Sequence, residues 1–113
     1  MTSIPFTEAA FQRQVIALAQ LLGYRCAHFR TSLNARGKYQ TAVGADGAGY
    51  PDLTLVGRGR VLWCELKSDR GHTSPAQDDW HAVLRANGAE VYVWRPRQWD
   101  ELKGILEGAP CPD

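Results

Sequence analysis

The sequence predicts one mixed α/β domain in which helices flank a central β-sheet. A chain of 113 residues is long enough for a single hydrophobic core. Segments with helical periodicity alternate with short β-like runs, and a glycine-rich turn typical of a hairpin joins two of those runs. The resulting order is helix, strand, hairpin, helix, strand, helix, without internal repeats, which favours an α/β arrangement.

The first predicted elements are a helix over 8–22 and a strand over 24–29. Thr7 is a suitable N-cap for the helix, and Gly23 is a suitable stop. The apolar stripe of the helix consists of Phe11, Val15, Leu18 and Leu22. Residues 30–50 then lose all periodicity and contain four glycines, so we predict a long, mobile, basic loop there.

The second half of the chain predicts a hairpin, two helices and one more strand. Two β-like runs, 52–56 and 61–67, surround the turn residues 57–60. Ser74 and Pro75 begin a helix that ends at Asn87-Gly88. The predicted apolar face of this helix consists of Trp80, Val83 and Leu84. A strand over 91–94 follows, and the stripe of a last helix consists of Trp99, Leu102, Ile105 and Leu106.

A glutamate and a lysine share one face of the second hairpin strand. Because side chains alternate along a strand, Glu65 and Lys67 point to one side, while Cys64 and Leu66 point to the other. Burying charges is costly unless they are paired or bound to metal. The pattern indicates either a functional site or an edge strand whose charged face is simply solvated.

The hairpin register brings a second carboxylate to the same place. If Val56 pairs with Val61 across the turn, Asp52 faces Glu65, and facing Cβ atoms lie about 4.5–5.5 Å apart. Two carboxylates this close repel each other unless a cation lies between them, and their oxygens suit Mg²⁺ or Mn²⁺. A three-residue turn would shift the register by one and remove this pairing.

Lys67 makes phosphodiester hydrolysis the favoured chemistry for this face. Its ammonium can orient an attacking water or stabilise charge that develops on a scissile phosphate. A divalent metal polarises a phosphoryl oxygen and acidifies water. A carboxylate pair for glycoside hydrolysis is the competing interpretation, but it leaves Lys67 and the basic middle of the chain unexplained.

Three motifs resemble those of a known nuclease family. Gly49-Tyr50-Pro51-Asp52, Glu65-Leu66-Lys67 and Ser74-Pro75-Ala76-Gln77 occur in the order and spacing of the VRR-NUC family, the virus-type replication–repair nucleases. That family belongs to the restriction-endonuclease-like PD-(D/E)xK superfamily. The likeness covers residues 8 to about 102, and no motif position departs clearly from the pattern.

The resemblance implies a restriction-endonuclease-like core and a DNA endonuclease that depends on Mg²⁺ or Mn²⁺. The implied metal ligands are Asp52, Glu65, the backbone carbonyl of Leu66, and Glu8. Lys67 would assist the attacking water, and Gln77 would lie on the helix beside the site. Short members look like homodimers that act on branched DNA, including four-way junctions, as Holliday-junction resolvases do. A nickase or end-processing nuclease on unbranched DNA, and a non-catalytic DNA-binding module, are the alternatives.

Two of the implied site residues also have purely structural interpretations. Glu8 is a first-turn acid that stabilises the helix dipole by about 0.3–1 kcal/mol. Ser74-x-x-Gln77 is a capping box, in which the glutamine accepts from the cap residue. One side-chain amide cannot serve the cap and the site at once, so both roles stay open for Gln77.

The middle of the chain is basic, as a surface that contacts phosphates would be. The candidate nucleic-acid contacts are Arg36, Lys38, Arg70 and His72. No apolar run approaches the roughly 20 residues of a membrane span, and the N-terminus lacks the pattern of a signal peptide. The sequence therefore predicts an intracellular, cytoplasmic protein without a membrane partner.

Overall fold

The computed structural model describes residues 7–29, 32–33, 39–40 and 44–108. Within these residues the helices are α1 (Glu8–Leu21), α2 (Pro75–Ala86) and α3 (Trp99–Glu107), and a single 3-10 turn, Pro96–Gln98, precedes α3. The strands are β1 (Arg25–His28), β2 (Ser32–Leu33), β3 (Tyr39–Gln40), β4 (Leu53–Gly57), β5 (Arg60–Leu66) and β6 (Glu90–Trp94). The predicted contacts Arg36 and Lys38 lie outside the described residues.

Four of these strands form a mixed sheet in the order β1-β4-β5-β6. β4 pairs antiparallel with both β1 and β5, whereas β5 and β6 are parallel. Parallel neighbours need a long crossover, and α2 supplies it. The predicted mixed α/β architecture is therefore confirmed, and the predicted elements occur in the predicted order, with β2 and β3 in addition.

The hairpin between β4 and β5 has the register that the sequence predicts. Val56 pairs with Val61, and Gly57 pairs with Arg60, which leaves a two-residue turn. Arg58 and Gly59 in that turn have positive φ values of 52° and 76°. Such a turn matches the twist of the flanking strands and fixes the pairing of every residue behind it.

Helix ends also form where the sequence places them. The Thr7 side chain accepts a hydrogen bond from the Ala10 N–H at 3.0 Å and caps α1. Beyond this helix Gly23 has a φ of +98°, a left-handed conformation that suits glycine. At the other end of the chain Gly88 has a φ of +86° directly after α2.

The main core lies on one face of the four-stranded sheet, under α1 and α3. Its buried residues include Phe11, Val15, Leu53, Leu55, Leu62, Cys64, Leu66, Trp94, Leu102 and Leu106. The alternate residues of β4 and β5 point to the opposite face, as predicted. Glu65 of β5 and Lys67, which directly follows β5, therefore lie on the face that α1 and α3 leave uncovered.

The predicted apolar face of α2 is wrong in part. Val83 is 55% exposed, Trp80 and Leu84 are half-buried, and the buried residue of this helix is His81. The physical reason is that α2 covers the sheet face that carries Glu65 rather than the apolar core. A polar side chain is therefore the one that turns toward the sheet.

The segment over 30–50 contains more regular structure than the predicted loop. Ser32 pairs with Gln40, and Leu33 pairs with Tyr39, so β2 and β3 form a small antiparallel ribbon. Strands of two residues are too short for a periodicity of side chains to reveal them. The mobility predicted for this segment stays a prediction.

In the described part of the chain, no helix combines the length and apolar character that crossing a membrane requires.

Candidate active site

A row of residues crosses the sheet on the face opposite the main core. Glu65 in β5 pairs with Val93 in β6, and Leu53 pairs with Cys64 one step along the hairpin. Asp52 directly precedes β4, so continuing the register places it across from Glu65. The Phe29 N–H donates to the Asp52 carbonyl at 2.8 Å and continues the β1–β4 pairing in the same row. Residues paired across strands point to the same side, so two carboxylates meet at the centre of this row.

The pKa of Glu65 is strongly raised at this position. Glu65 is only 3% exposed. Burial, and after it the neighbouring Asp52 carboxylate, raise the pKa of Glu65 to about 9, while Lys67 acts in the opposite direction. Two adjacent carboxylates of this kind cannot both ionise without a compensating cation. The pair therefore holds a proton near neutral pH unless a cation replaces it.

Three buried polar atoms at this place lack a hydrogen-bond partner among the described residues. They are Asp52 Oδ1, Glu65 Oε1 and His81 Nε2. The other oxygen of Asp52 is satisfied, because Gln12 Nε2 donates to Oδ2 at 3.2 Å. Buried polar groups are normally paired, and each exception needs an explanation. Either a proton shared by the two carboxylates or a cation bound between them would satisfy these carboxylate oxygens.

The chemistry of these donors fits Mg²⁺ or Mn²⁺. Such ions take oxygen ligands, use few protein groups and keep several waters. In the part of the chain that the structure describes, no three His, Cys, Asp or Glu side chains converge on one metal position. A ligand set at this site would therefore be two carboxylates plus a backbone oxygen. Leu66 buries its side chain in the core, so only its carbonyl is available to such a set.

Lys67 lies at the end of β5, beside the pair. Its N–H donates to the Trp94 carbonyl at 3.0 Å, which extends the β5–β6 pairing by one residue. The side chain is half-buried and shares the face of Glu65, two residues earlier. Its positive charge lowers the pKa of Glu65 against the effect of burial. The structure thus brings together Asp52, Glu65 and Lys67, the three residues on which the sequence prediction rests.

His81 belongs to this site but was not among the predicted site residues. It is 3% exposed, and its Nε2 lies 3.7 Å from Glu65 Oε1, just beyond hydrogen-bond distance. Burial, and after it the charge of Arg85, lower the pKa of His81, so the neutral ring is favoured. The sequence feature that could have indicated His81 is its position four residues after Gln77, because this spacing places both residues on one face of α2.

Gln12 is the second site residue that the sequence did not reveal, and it lies one helical turn after Glu8. Glu8 itself is exposed and does not join a three-ligand cluster with Asp52 and Glu65 among the described residues. Its charge nevertheless contributes to raising the pKa of Glu65. Gln12 instead contacts Asp52 directly. The metal-ligand role of Glu8 stays a prediction.

Gln77 forms the capping box of α2. Its Oε1 accepts from the Ser74 N–H at 2.8 Å, and Ser74 Oγ accepts from the Gln77 N–H at 3.2 Å. The structural interpretation of this glutamine is therefore confirmed. A catalytic role would require the side-chain amide to leave the cap, and that role stays a prediction.

The basic residues of the middle of the chain serve different purposes. Arg60 pairs with Glu90 and donates to the Ile105 carbonyl at 2.7 Å. Arg58 donates to the Glu107 carbonyl at 2.8 Å. These two residues fasten the hairpin turn to α3. By contrast, the predicted contacts Arg70 and His72 are exposed in the loop that follows Lys67.

Gly49 allows the loop that leads to Asp52 to pack closely against α2. Its φ is +84°, and a Cβ at this position would lie 2.5 Å from the Ala76 carbonyl carbon in α2. The following residue, Tyr50, accepts a hydrogen bond from Trp63 Nε1 at 2.8 Å and packs edge-on against Trp80. The loop is therefore held directly against the first turns of α2. The side chain of Tyr50 is thus engaged in contacts within the protein.

Gly49→Ala is expected to destabilise the fold by about 2–5 kcal/mol, because a left-handed alanine costs about 1–2 kcal/mol and overpacking about 1–3 kcal/mol. Urea unfolding measures this change. Gly44→Ala is the matched control, since a Cβ at Gly44 has open space around it. Equal stability of the two variants would contradict the close packing of this loop on α2.

Known protein families, curated proteins and solved structures give no match to this chain. The likeness to the VRR-NUC nucleases therefore rests on the motif residues alone.

In the metal-free protein, the raised pKa of Glu65 predicts a loss of stability as pH rises. The folded state keeps this proton up to about pH 9, whereas the unfolded chain releases it near 4.5. The folded state is thus favoured at low pH, and this stabilisation disappears between those two values. Thermal unfolding in chelator across this pH range should show that the stability of the folded state falls as the pH rises. Asp52→Asn should make this loss of stability smaller, because burial of Glu65 remains, whereas Asp100→Asn, which removes an exposed carboxylate on α3, should leave it unchanged.

Proposed function

We propose that this protein is a metal-dependent DNA endonuclease of the VRR-NUC type, with a restriction-endonuclease-like core. One observation carries the proposal. The half-buried Asp52 and the buried Glu65 form a carboxylate pair in which each has one buried oxygen without a hydrogen-bond partner, and Lys67 lies on the same face. Such a pair is unfavourable without a compensating positive charge and suits a divalent cation.

Asp52, Glu65 and the Leu66 carbonyl are the groups that would hold Mg²⁺ or Mn²⁺. When bound, the ion supplies a Lewis acid that polarises a phosphoryl oxygen and lowers the pKa of water. Gln12 fixes Oδ2 of Asp52 and thereby leaves Oδ1 for the site. Holding one oxygen in this way orients the carboxylate before the substrate arrives.

Lys67 acts on the phosphate and on the water. Its ammonium places a positive charge next to the position where negative charge develops in the transition state. Because it lies beside Glu65 and is half-buried, this charge is less screened than one in open solvent. Lys67 thus orients the attacking water and stabilises the scissile phosphate as it accepts that water.

The glycosidase interpretation is the weaker one. A raised glutamate pKa alone would suit the general acid of a glycosidase. However, glycoside hydrolysis needs no lysine beside the carboxylate pair. The positive charge of Lys67 favours an anionic substrate. A phosphodiester therefore suits this site better than an uncharged sugar.

The family resemblance supplies the more detailed part of the proposal: a homodimer that cleaves branched DNA inside the cell. Two identical sites related by a two-fold axis would match the symmetry of a four-way junction. A nuclease for nicks or ends of unbranched DNA would use the same chemistry on another shape. A non-catalytic DNA-binding module would keep the basic surface without turnover.

A panel of labelled substrates tests these proposals together. It contains a four-way junction, a flap, a nicked duplex and a linear duplex, each with Mg²⁺, Mn²⁺ or chelator. We expect metal-dependent cleavage with preference for the junction. Equal cleavage of linear duplex would support the unbranched-DNA alternative instead. Salt-dependent binding without hydrolysis would identify a binding module. A protein that neither binds nor hydrolyses any of these substrates would overturn the proposal.

A further inference from the structure

We infer that a cleft beside the carboxylate pair binds a phosphate group of the substrate strand, next to the phosphate that is cut. This inference rests on the proposed nuclease function. The cleft has a volume of about 320 Å³ and lies between α2 and the end of β6. Its main lining residues are Thr73, Asp78, His81, Arg85, Val93 and Arg95.

The cleft adjoins the carboxylate pair through two of its walls. Val93 is the β6 partner of Glu65, and neighbouring strands lie about 4.7–4.9 Å apart. His81, on the opposite wall, brings Nε2 to 3.7 Å from Glu65 Oε1. A strand whose scissile phosphate lies at Glu65 would therefore place a neighbouring nucleotide in or beside this cleft.

Two arginines give the cleft its chemistry. Arg85 donates to the Val91 carbonyl at 3.2 Å, and Arg95 donates to the Gly71 carbonyl at 2.8 Å. Neither takes part in the ion pairs found among the described residues. A guanidinium has five N–H donors, so most of them remain for an anion. Backbone carbonyls hold both groups in place, and this reduces the entropy lost when an anion binds.

The charge balance around the cleft is positive. Asp78 is its one acidic lining residue, and Asp78 Oδ1 accepts from the Thr73 hydroxyl at 2.6 Å. Continuing the β5–β6 register places Lys67 across from Arg95, so a third cation stands at the boundary with the site. Guanidinium groups bind phosphate oxygens in pairs, with defined geometry. A phosphodiester anion is therefore the ligand that this cleft fits.

Binding in chelator isolates the cleft from catalysis. The probe is a fluorescent oligonucleotide, single-stranded or duplex, titrated by anisotropy at several salt concentrations. Arg85→Gln and Arg95→Gln should each weaken binding roughly tenfold, and should lower the slope of log K against log salt by about 0.7–0.9. Arg13→Gln, which removes the same charge from an exposed position on α1, should leave both nearly unchanged.

Two further variants separate charge from folding. Arg85→Lys keeps the positive charge and should retain the salt slope while losing part of the affinity. Val93→Glu adds a carboxylate to the cleft without removing an arginine, and it should weaken binding at least as much as Arg85→Gln. Circular dichroism and melting of each variant identify any that fail to fold. Folded variants that bind the oligonucleotide like the native protein would overturn the inference.

The source of the phosphate and the proposed function are tested separately. Inorganic phosphate and a mononucleotide, titrated by calorimetry, should bind far more weakly than the oligonucleotide. Tight binding of either, with the same arginine dependence, would show that the cleft serves a free phosphate compound and would overturn the strand assignment. If the native protein cleaves no substrate, while its DNA binding depends on both arginines, the nuclease proposal is wrong and the inference about the cleft is supported. If the native protein cleaves DNA but its DNA binding depends on neither arginine, the nuclease proposal is supported and the inference about the cleft is wrong.

Discussion

Asp52→Asn is expected to abolish metal-dependent cleavage and, at the same time, to stabilise the metal-free protein. Metal-ion stabilisation of the transition state amounts to several kcal/mol, which corresponds to about 10³-fold or more in rate. Without metal, however, Asp52 faces Glu65 and opposes its ionisation, so folding near neutral pH requires Glu65 to take up a proton. Without the Asp52 charge the ionised form of Glu65 is less unfavourable in the folded state, so activity and stability should change in opposite directions.

Single-turnover cleavage with Mn²⁺ and thermal unfolding with chelator measure these two effects on the same preparation. A stability gain of about 1 kcal/mol would raise the Tm by roughly 4–8 °C in a domain of this size. Asp79→Asn, which removes an exposed carboxylate from α2, is the control and should change neither quantity much. A variant that loses stability together with activity would show that Asp52 is a structural residue rather than half of a cation site.

Lys67→Met should lower the cleavage rate by about 10²–10³-fold while leaving a metal site in place. The side chain carries charge toward the reacting phosphate but contributes no oxygen to the proposed ligand set. Because Lys67 lowers the pKa of Glu65, its loss should weaken Mn²⁺ binding at neutral pH, and this defect should shrink only as the pH rises above about 9. The rate defect should persist at the higher pH.

Rates at saturating Mn²⁺ and calorimetric Mn²⁺ titrations at two pH values separate these roles. Lys103→Met removes an exposed lysine from α3 and should behave like the native protein. If Lys67→Met abolished Mn²⁺ binding at every pH, its role would be to hold the site together. If it cleaved at the native rate, the lysine would have no part in the chemistry.

The parts of the site that the sequence predicted depend on local rules. The two-residue turn at Arg58 and Gly59 fixes the hairpin register, and the register fixes which residue faces Glu65. Helix caps at Thr7 and Ser74 follow from side chains that satisfy backbone groups within three residues. Such features need no knowledge of how the elements pack.

The parts that the sequence did not predict depend on tertiary packing. The sequence did not single out His81, because apolar periodicity assigned the buried face of α2 to Trp80, Val83 and Leu84. The helix lies instead over the charged face of the sheet, and there the buried side chain is polar. Gln12 reaches Asp52 from α1, and no spacing rule links those two positions. The clash that makes Gly49 necessary likewise involves α2, a different element.

Single-turnover cleavage of a four-way junction tests the central claim most directly. Native protein and Asp52→Asn are purified in parallel and assayed with Mn²⁺, with Mg²⁺ and with chelator. We predict cleavage by the native protein only with metal, and a rate at least about 10³-fold lower for Asp52→Asn. Metal-independent cleavage, equal rates for the two proteins, or no cleavage of this or any other DNA by the native protein would contradict it.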